Sequence, residues 1–297
     1  MIVVTGAIGR SGRWFIQKLI SEKFQESIRF AYRKHHDINI ILQSALKAEV
    51  IEGDLRDHQY LEEVTKGADT VIHFAGIGRS KNLIEACKKN GVKWAILVHT
   101  TGRYSKFKSA AGDYIEIEEW VLNSGFNCTI VRPTMIYGSS EDHNIYKLIG
   151  FVNKFKILPV IGGGRNRLQP IYAKDLGESI YSILVAREKT MGKCYNLAGK
   201  DPLTFLEILK IIVQQLGHKR YFVYVPFGIS LFLTYIYNAV VKKPKIITEQ
   251  VLRMNEDKVF DYSDATRDFG FNPVSFEVGV RNEISEFKRL NNFRIST

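Results

Sequence analysis

The chain has 297 residues, 45% hydrophobic and 25% charged, with a formal net charge of +11. That length suits one large α/β domain, or one domain with a smaller lobe, around a sizeable core. The three cysteines, Cys87, Cys128 and Cys194, are scattered without metal-type spacing. This argues against a disulfide framework and a metal site, and for a reducing, cytoplasmic setting. Lys and Arg are dispersed with no accompanying nucleic-acid-binding motif, so the basic balance is read as suiting anionic cofactors and substrates. The N-terminus enters a strand directly, and no secretory signal is expected.

Met1 to Gly12 reads MIVVTGAIGRSG, a short β-branched strand, three glycines and the start of a helix whose apolar face is Trp14-Phe15-Ile16 with Leu19-Ile20. Gly6 would permit the tight turn, Gly9 would let the backbone approach a pyrophosphate, and Gly12 would let the helix pack closely on the strand. Ile8 and Arg10 share that loop and are cofactor-binding candidates with the glycines. A second strand, Ile28 to Tyr32, ends in Arg33-Lys34-His35-His36. An acid at that point binds the ribose 2′-hydroxyl of NAD, whereas a basic group meets the 2′-phosphate of NADP. Arg33, with its bidentate fork, and Lys34, as a point charge, favour NADP; Asp37 leaves NAD open.

Glu49 to Gly53 reads as a third strand and Thr70 to Gly76 as a fourth that ends in small residues. Lys81 to Asn90 reads as a helix stopped by Gly91, and Trp94 to His99 as a fifth strand ending at Thr100-Thr101. The β-α alternation predicts a Rossmann-like, doubly wound parallel sheet of the α/β class, with a smaller C-terminal substrate lobe. The expected boundaries are 1–138 and 160–200 for the nucleotide-binding domain, and 139–159 and 201–297 for the lobe. The default ligand site is the cleft outside the carboxyl ends of the strands.

TGAIGRSG, EGDLRD at 52–57, HFAG at 73–76 and VRPTMIYG at 131–138 resemble the extended or atypical short-chain dehydrogenase/reductases. YNLAGKDPLTFLEIL at 195–209 and the tail from Asp264 are similar to the substrate lobe of the NAD(P)-dependent epimerase/dehydratase group. The resemblance implies that Asp54 and Leu55 flank the adenine, that Phe74, Ala75 and Gly76 line the cofactor, and that Pro133 lies beside the nicotinamide. It also implies a homodimer, by analogy with similar proteins that pair through helices beside the fourth and fifth strands.

The family performs hydride chemistry with a Ser or Thr after the fifth strand and a Tyr-x-x-x-Lys pair on the next helix. The lysine is needed because a phenol near pKa 10 is a poor base at neutral pH. Thr100 can fill the hydroxyl role. Tyr104 and Lys108 are the chain's one Tyr-x-x-x-Lys, after an unusually short connection. Tyr114 lies at a more usual distance from Thr100, but its fourth residue on is Glu118, which would raise the tyrosine pKa. Three readings stay open here: a displaced pair at Tyr104 and Lys108, a site rebuilt on Tyr114, and a cofactor-binding protein without this chemistry.

In the second lobe, Gly162-Gly163-Gly164 is a flexible turn beside Arg165 and Arg167, whose forks suit a substrate diphosphate. Asn144 is a further substrate candidate. Tyr221 to Val241 has no charged residue and is long enough for a membrane span, but Pro226, Gly228, Ser230, Thr234 and Asn238 argue instead for a buried lobe helix of about 15 residues after Pro226. The leading expectation is an NADP- or NAD-dependent epimerase, dehydratase or reductase of a nucleotide sugar or related carbonyl or hydroxyl substrate. The alternative is a non-catalytic NADP-binding redox sensor or assembly protein, similar to the nitrogen-regulator-like branch of these proteins.

Overall fold

The structure, a computed structural model, describes residues 1–33, 37–241 and 248–295; for residues 108–110, 239, 250 and 292–295 it describes the backbone alone. The chain divides into two compact units, 1–134 with 173–197 and 261–272, and 135–172 with 198–260 and 273–297.

The first unit is a seven-stranded parallel sheet. Its strands are β1 (Ile2–Thr5), β2 (Ile28–Tyr32), β3 (Ala48–Glu52), β4 (Thr70–His73), β5 (Trp94–Val98), β6 (Cys128–Pro133) and the strand Cys194–Leu197. From one edge the order is Cys194–Leu197, β6, β5, β4, β1, β2, β3. The order therefore reverses direction between β1 and β4, which pair with Ile2 opposite Thr70 and Thr5 opposite His73. A reversal of this kind leaves a crevice at the carboxyl ends of the two strands, because their following connections go to opposite sides.

Alternation along the strands sends side chains to two buried faces. Val3, Ala31, Val71, Leu97 and Ile130 belong to one core with residues of α3 (His58–Thr65), α4 (Ser80–Lys89) and α5 (Lys108–Asn123). The alternate set, Ile2, Val4, Phe30, Ile72 and Ile96, is equally buried. On that side lie α1 (Arg10–Ser21), with Phe15, Ile16 and Leu19 inward, and the helix Ala173–Val185. The two helices touch closely because Gly177 has no side chain: a Cβ there would stand 2.4 Å from the Ser11 carbonyl oxygen and 2.6 Å from Trp14 Cβ. The short helix α2 (Asn39–Leu42) completes the run between β2 and β3.

The observed units differ from the expected boundaries most at two stretches, with smaller differences at 135–138 and 198–200, which belong to the second unit. Residues 160–172 were assigned to the sheet domain, yet strand Ile157–Ile161 pairs with Tyr221–Val225 and strand Ile171–Tyr172 pairs with Ile136–Tyr137, all in the second unit. Residues 261–272 were assigned to the lobe, yet they belong to the first unit. There the Asp268 carboxylate accepts from the Tyr195 hydroxyl and the Lys193 ammonium, each at 2.8 Å. This three-way bond holds Asp268 well below the usual carboxylate range and ties the late segment to the edge strand.

The second unit has a core of its own, in which Ile145, Ile149, Leu158, Ile208, Ile212 and Val280 meet. Its helix Phe205–Leu216 shows why such elements are legible. Thr204 and Glu207 form a reciprocal capping box at its start, and Gly217 at φ 72° ends it. The helix expected after Pro226 is present as Phe227–Val240, but it is not buried: Ile229, Phe232, Leu233, Ile236 and Val240 are all exposed. Among the described residues, no helix is long and apolar enough to cross a membrane.

Candidate functional site

Thr5 ends β1, and the chain turns at Gly6 with φ +73°. A Cβ at Gly6 would lie 2.7 Å from the Ala75 backbone nitrogen, so only glycine allows the two loops after β1 and β4 to approach this closely. Gly9 precedes α1 in extended conformation and offers no side-chain oxygen to the helix's first turn. The positive end of α1 is thus presented without a built-in cap, which is the arrangement that accepts a phosphate. A Cβ at Gly12 would come within 2.4 Å of the Ala7 carbonyl oxygen. Gly12→Val is therefore expected to displace the loop from the helix and to abolish dinucleotide binding, read by fluorescence titration, while Gly91→Ala in a distant turn leaves binding within about twofold. Ile8 is buried beneath the loop, and Arg10, the first residue of α1, is half-buried at its rim.

The two loops are also joined by a polar relay. The Gly76 carbonyl can only accept, so His73 Nε2, 2.9 Å away, carries the proton, and Nδ1 accepts from the Thr5 hydroxyl at 2.6 Å. Burial pushes the His73 imidazole down to about 4, with the Gly76 carbonyl opposing it only in part. His73 is accordingly neutral and works as a fixed strut between the β1 and β4 loops. The sequence reading passed over it. A polar residue as the last member of an otherwise apolar buried strand was the available signal. Phe74 turns its ring toward Phe15 of α1, 5.7 Å between centroids, while Ala75 and Gly76 are exposed.

Arg33 follows β2 directly and is exposed. Lys34 lies outside the described residues. Asp54 is held by Arg56, which donates from Nε at 3.0 Å, from a terminal nitrogen at 2.6 Å and from its backbone at 2.8 Å. These bonds, with the Arg33 charge as a smaller contribution, hold the Asp54 carboxyl down at about 2. Leu55 packs against the core under α3 and α4.

The carboxyl ends of β5 and β6 carry a buried charge cluster that the sequence did not disclose as a unit. Glu118, on α5, has a fully buried side chain and accepts from His99 Nδ1 at 2.9 Å, from Arg132 at 2.8 and 2.6 Å, and from Arg103. A carboxylate only accepts, so His99 carries its proton on Nδ1 and its Nε2 accepts from the Ser80 hydroxyl at 3.0 Å. Burial by itself would raise Glu118. The bonds from His99 and the two arginines overcome it and hold the carboxyl at about 2. Glu118 thus points into the protein and not toward Tyr114, as its place four residues on had suggested.

Arg132 also donates to the Tyr104 hydroxyl at 3.0 Å, and that hydroxyl donates to Asn196 Oδ1 at 3.3 Å. Tyr104 closes the 3-10 turn Thr101–Tyr104, whereas Lys108 opens α5, with non-helical residues 105–107 between them. The two are therefore not on one helical face, and the Lys108 side chain lies outside the described residues. Thr100 caps the 3-10 turn, its hydroxyl accepting from the Gly102 N–H at 3.0 Å. Thr101 donates to the Pro133 carbonyl at 3.1 Å, which fixes the end of β6. Tyr114 is partly exposed, with its ring near the Thr100–Gly102 turn.

In the second unit, Asn144 precedes the helix Ile145–Lys154 and is exposed. Arg165 lines a cavity of about 560 Å³ with Gly163, Gly164, Thr204, Leu206 and Tyr224. Arg167, by contrast, closes its fork on Asp257, with two side-chain bonds of 3.1 Å and a backbone bond of 2.7 Å.

A family described as NAD(P)H-binding matches residues 6–155, half of the chain. The chain belongs to this NAD(P)H-binding family. Among its relatives, subunit 9 of the mitochondrial NADH dehydrogenase [ubiquinone] 1 alpha subcomplex from Arabidopsis thaliana is 29% identical over 76% of this chain. The chain spans 60% of that relative's length. An undecaprenyl-diphospho-N-acetylglucosamine 4-epimerase from Escherichia coli O157:H7 is 24% identical, covering 67% of this chain and 71% of the relative. The fold is that of the epimerase/dehydratase proteins. A UDP-glucose 4-epimerase from Thermotoga maritima superposes with a TM-score of 0.72 over 97% of this chain and 99% of its own, at 18% identity. A dTDP-glucose 4,6-dehydratase from Streptomyces venezuelae, solved with NAD bound, superposes with a TM-score of 0.72 over 98% of this chain and 97% of its own, also at 18% identity.

Proposed function

We propose that this NAD(P)H-binding chain holds NADP(H) in preference to NAD(H) across the Gly6–Gly12 loop, as a structural or sensing ligand and not as a turned-over redox partner. Gly6, Gly9 and the start of α1 would hold the pyrophosphate, Ala75 and Gly76 would lie along the nucleotide, and Arg33 would engage the 2′-phosphate. A bound nicotinamide supplies a hydride donor or acceptor. The observation that carries the reading is the state of the residues around it: Tyr104 is bound to Arg132, and Glu118 is locked by His99, Arg103 and Arg132. The Tyr104 hydroxyl accepts from the Arg132 guanidinium, and Tyr104 and Lys108 belong to different elements and not to one helical face. The Arabidopsis relative, named as a subunit of the NADH dehydrogenase [ubiquinone] 1 alpha subcomplex, is consistent with a bound dinucleotide serving an assembly.

A second reading keeps hydride chemistry on a nucleotide sugar or related substrate. It is favoured by the Tyr104 hydroxyl, which stands on a partly exposed ring beside a guanidinium and near the Pro133 end of β6. In that case Arg132 would supply positive charge beside the Tyr104 hydroxyl, and Tyr104 would move the proton.

Titration with NADPH and NADH, followed by nucleotide fluorescence, tests the proposal. Submicromolar to micromolar NADPH binding is expected, weakened about tenfold or more in Arg33→Ala with NADH affinity little changed. Absorbance of the bound nicotinamide should then stay constant when UDP-glucose, dTDP-glucose or simple ketones are added. Steady turnover of any of these, lost in Tyr104→Phe, would overturn the non-catalytic reading and establish the second one.

A further inference from the structure

The helix Phe227–Val240 is amphipathic in the wrong sense for a protein surrounded by water. Ser230, Thr234 and Asn238, spaced four apart, lie on the less exposed side, each returning a side-chain bond to its own helix, at 3.4, 2.8 and 2.7 Å. Ile229, Phe232, Leu233, Ile236 and Val240 form the opposite stripe, with Phe232 63% and Val240 76% exposed. The preceding strand Tyr221–Val225 continues the pattern, with Tyr221 72% exposed and its paired residue Ile157 61% exposed. Exposed apolar surface of this extent, on two adjoining elements, marks a contact with something apolar.

The sequence stretches that carry these elements are basic, although the adjoining helix Thr248–Arg253 brings Glu249. No Asp or Glu occurs from residue 208 to 248, nor from 143 to 174, while these two stretches together hold twelve Lys and Arg. Lys154, Lys156 and Lys219 are exposed beside the strand pair, and Lys242, Lys243 and Lys245 follow the helix in sequence. A second copy of the same face would bring like charges together, which disfavours self-association. At 14 residues the helix is about 21 Å long, too short for a hydrocarbon core of about 30 Å. We infer that this face of the second unit docks the protein onto an anionic lipid surface, with the helix lying in the plane of the interface. Its apolar stripe enters the acyl boundary, Tyr221, Tyr224 and Tyr235 sit at headgroup level, and the lysines meet lipid phosphates. The inference rests on the second unit and does not depend on how the dinucleotide is used.

The test is flotation of the purified full chain with vesicles of phosphatidylcholine alone, or containing about 30% phosphatidylglycerol. Wild type is expected to float with the anionic vesicles, less so as salt rises. Phe232→Glu with Leu233→Glu should cut the floated fraction at least tenfold. Lys154→Glu with Lys156→Glu and Lys219→Glu should do so on anionic vesicles while leaving binding to neutral ones unchanged. An unchanged far-UV circular dichroism spectrum and unfolding midpoint show that each variant is folded, and the lysine set decides the matter if the helix set does not fold. Wild type left behind by anionic vesicles, or floating undiminished in both variant sets, overturns the proposal. A dimer in light scattering that Phe232→Glu/Leu233→Glu converts to monomer, without flotation, overturns it in favour of a second copy.

Discussion

Replacing Glu118 by alanine is expected to lower stability by about 3–5 kcal/mol, which for a chain of this size moves the melting temperature down by roughly 10 °C. Arg132 is 9% exposed and the Glu118 side chain fully buried. Removing the carboxylate leaves two guanidinium groups and the His99 N–H facing one another with no counter-charge, Arg132 keeping its bond to the Tyr104 hydroxyl. That residual charge, more than the lost bonds, sets the cost. The wild-type pH profile should report the same group. Its folded pKa of about 2 lies below the ordinary 4.5. Its stabilisation is therefore complete above pH ~4.5 and is lost as pH falls toward ~2, a contribution of about 3 kcal/mol. Urea unfolding from pH 7 to pH 2.5 checks both statements. A Glu118→Ala protein that unfolds at the wild-type midpoint, or keeps the wild-type acid slope, would sink the account.

The second large effect has the opposite sign. Glu283 is 1% exposed, and neither carboxyl oxygen reaches hydrogen-bond geometry with a partner. Burial, with repulsion from Asp142 and more weakly from Glu286, pushes it up to about 8; the nearby backbone of Gly138 and Ser139 offsets this only in part. The folded protein therefore holds a proton that the unfolded chain releases above pH ~4.5. Stability from this group is full below pH ~4.5 and declines as pH rises to ~8, by about 3–5 kcal/mol. Glu283→Gln, which cannot ionise, should be less sensitive across that window and the more stable of the two at pH 8.5. Unfolding midpoints of the two proteins at pH 5 and pH 8.5 give the difference directly, and parallel profiles would show that Glu283 ionises freely in the folded state.

The sheet was legible because its signals are local. β-branched runs with glycine or a polar turn after each mark strands over about five residues; the first five of the seven strands were read from such runs, and their alternation with helices implies the doubly wound parallel sheet. The glycine loop was equally readable, since a Cβ at Gly6 would stand 2.7 Å from the Ala75 backbone nitrogen and the position admits no other residue. The Glu118 cluster was not. Its members lie at 99, 103, 118 and 132 in four different places, and no spacing rule joins a strand end, a turn, a helix interior and a second strand. The unit boundary at 261–272 escaped for the same reason: Asp268 acts on Tyr195 across 73 positions. For the helix after Pro226, periodicity was present but its direction was not, because hydropathy tells which side is apolar and not which side faces the protein.

The first unit is assembled from three separate stretches, the last ending at residue 272. The nucleotide loop lies at residues 6–12, but the helix that braces α1 through Gly177 is made some 165 residues later, and the Asp268 tie later still. During synthesis at roughly 5–20 residues per second the early strands must wait many seconds for their flanking cover, with apolar strand faces open meanwhile. Folding of this unit is thus coupled to synthesis through residue 272. A nascent chain stalled before residue 173 would present an uncovered sheet face to chaperones rather than a finished dinucleotide site.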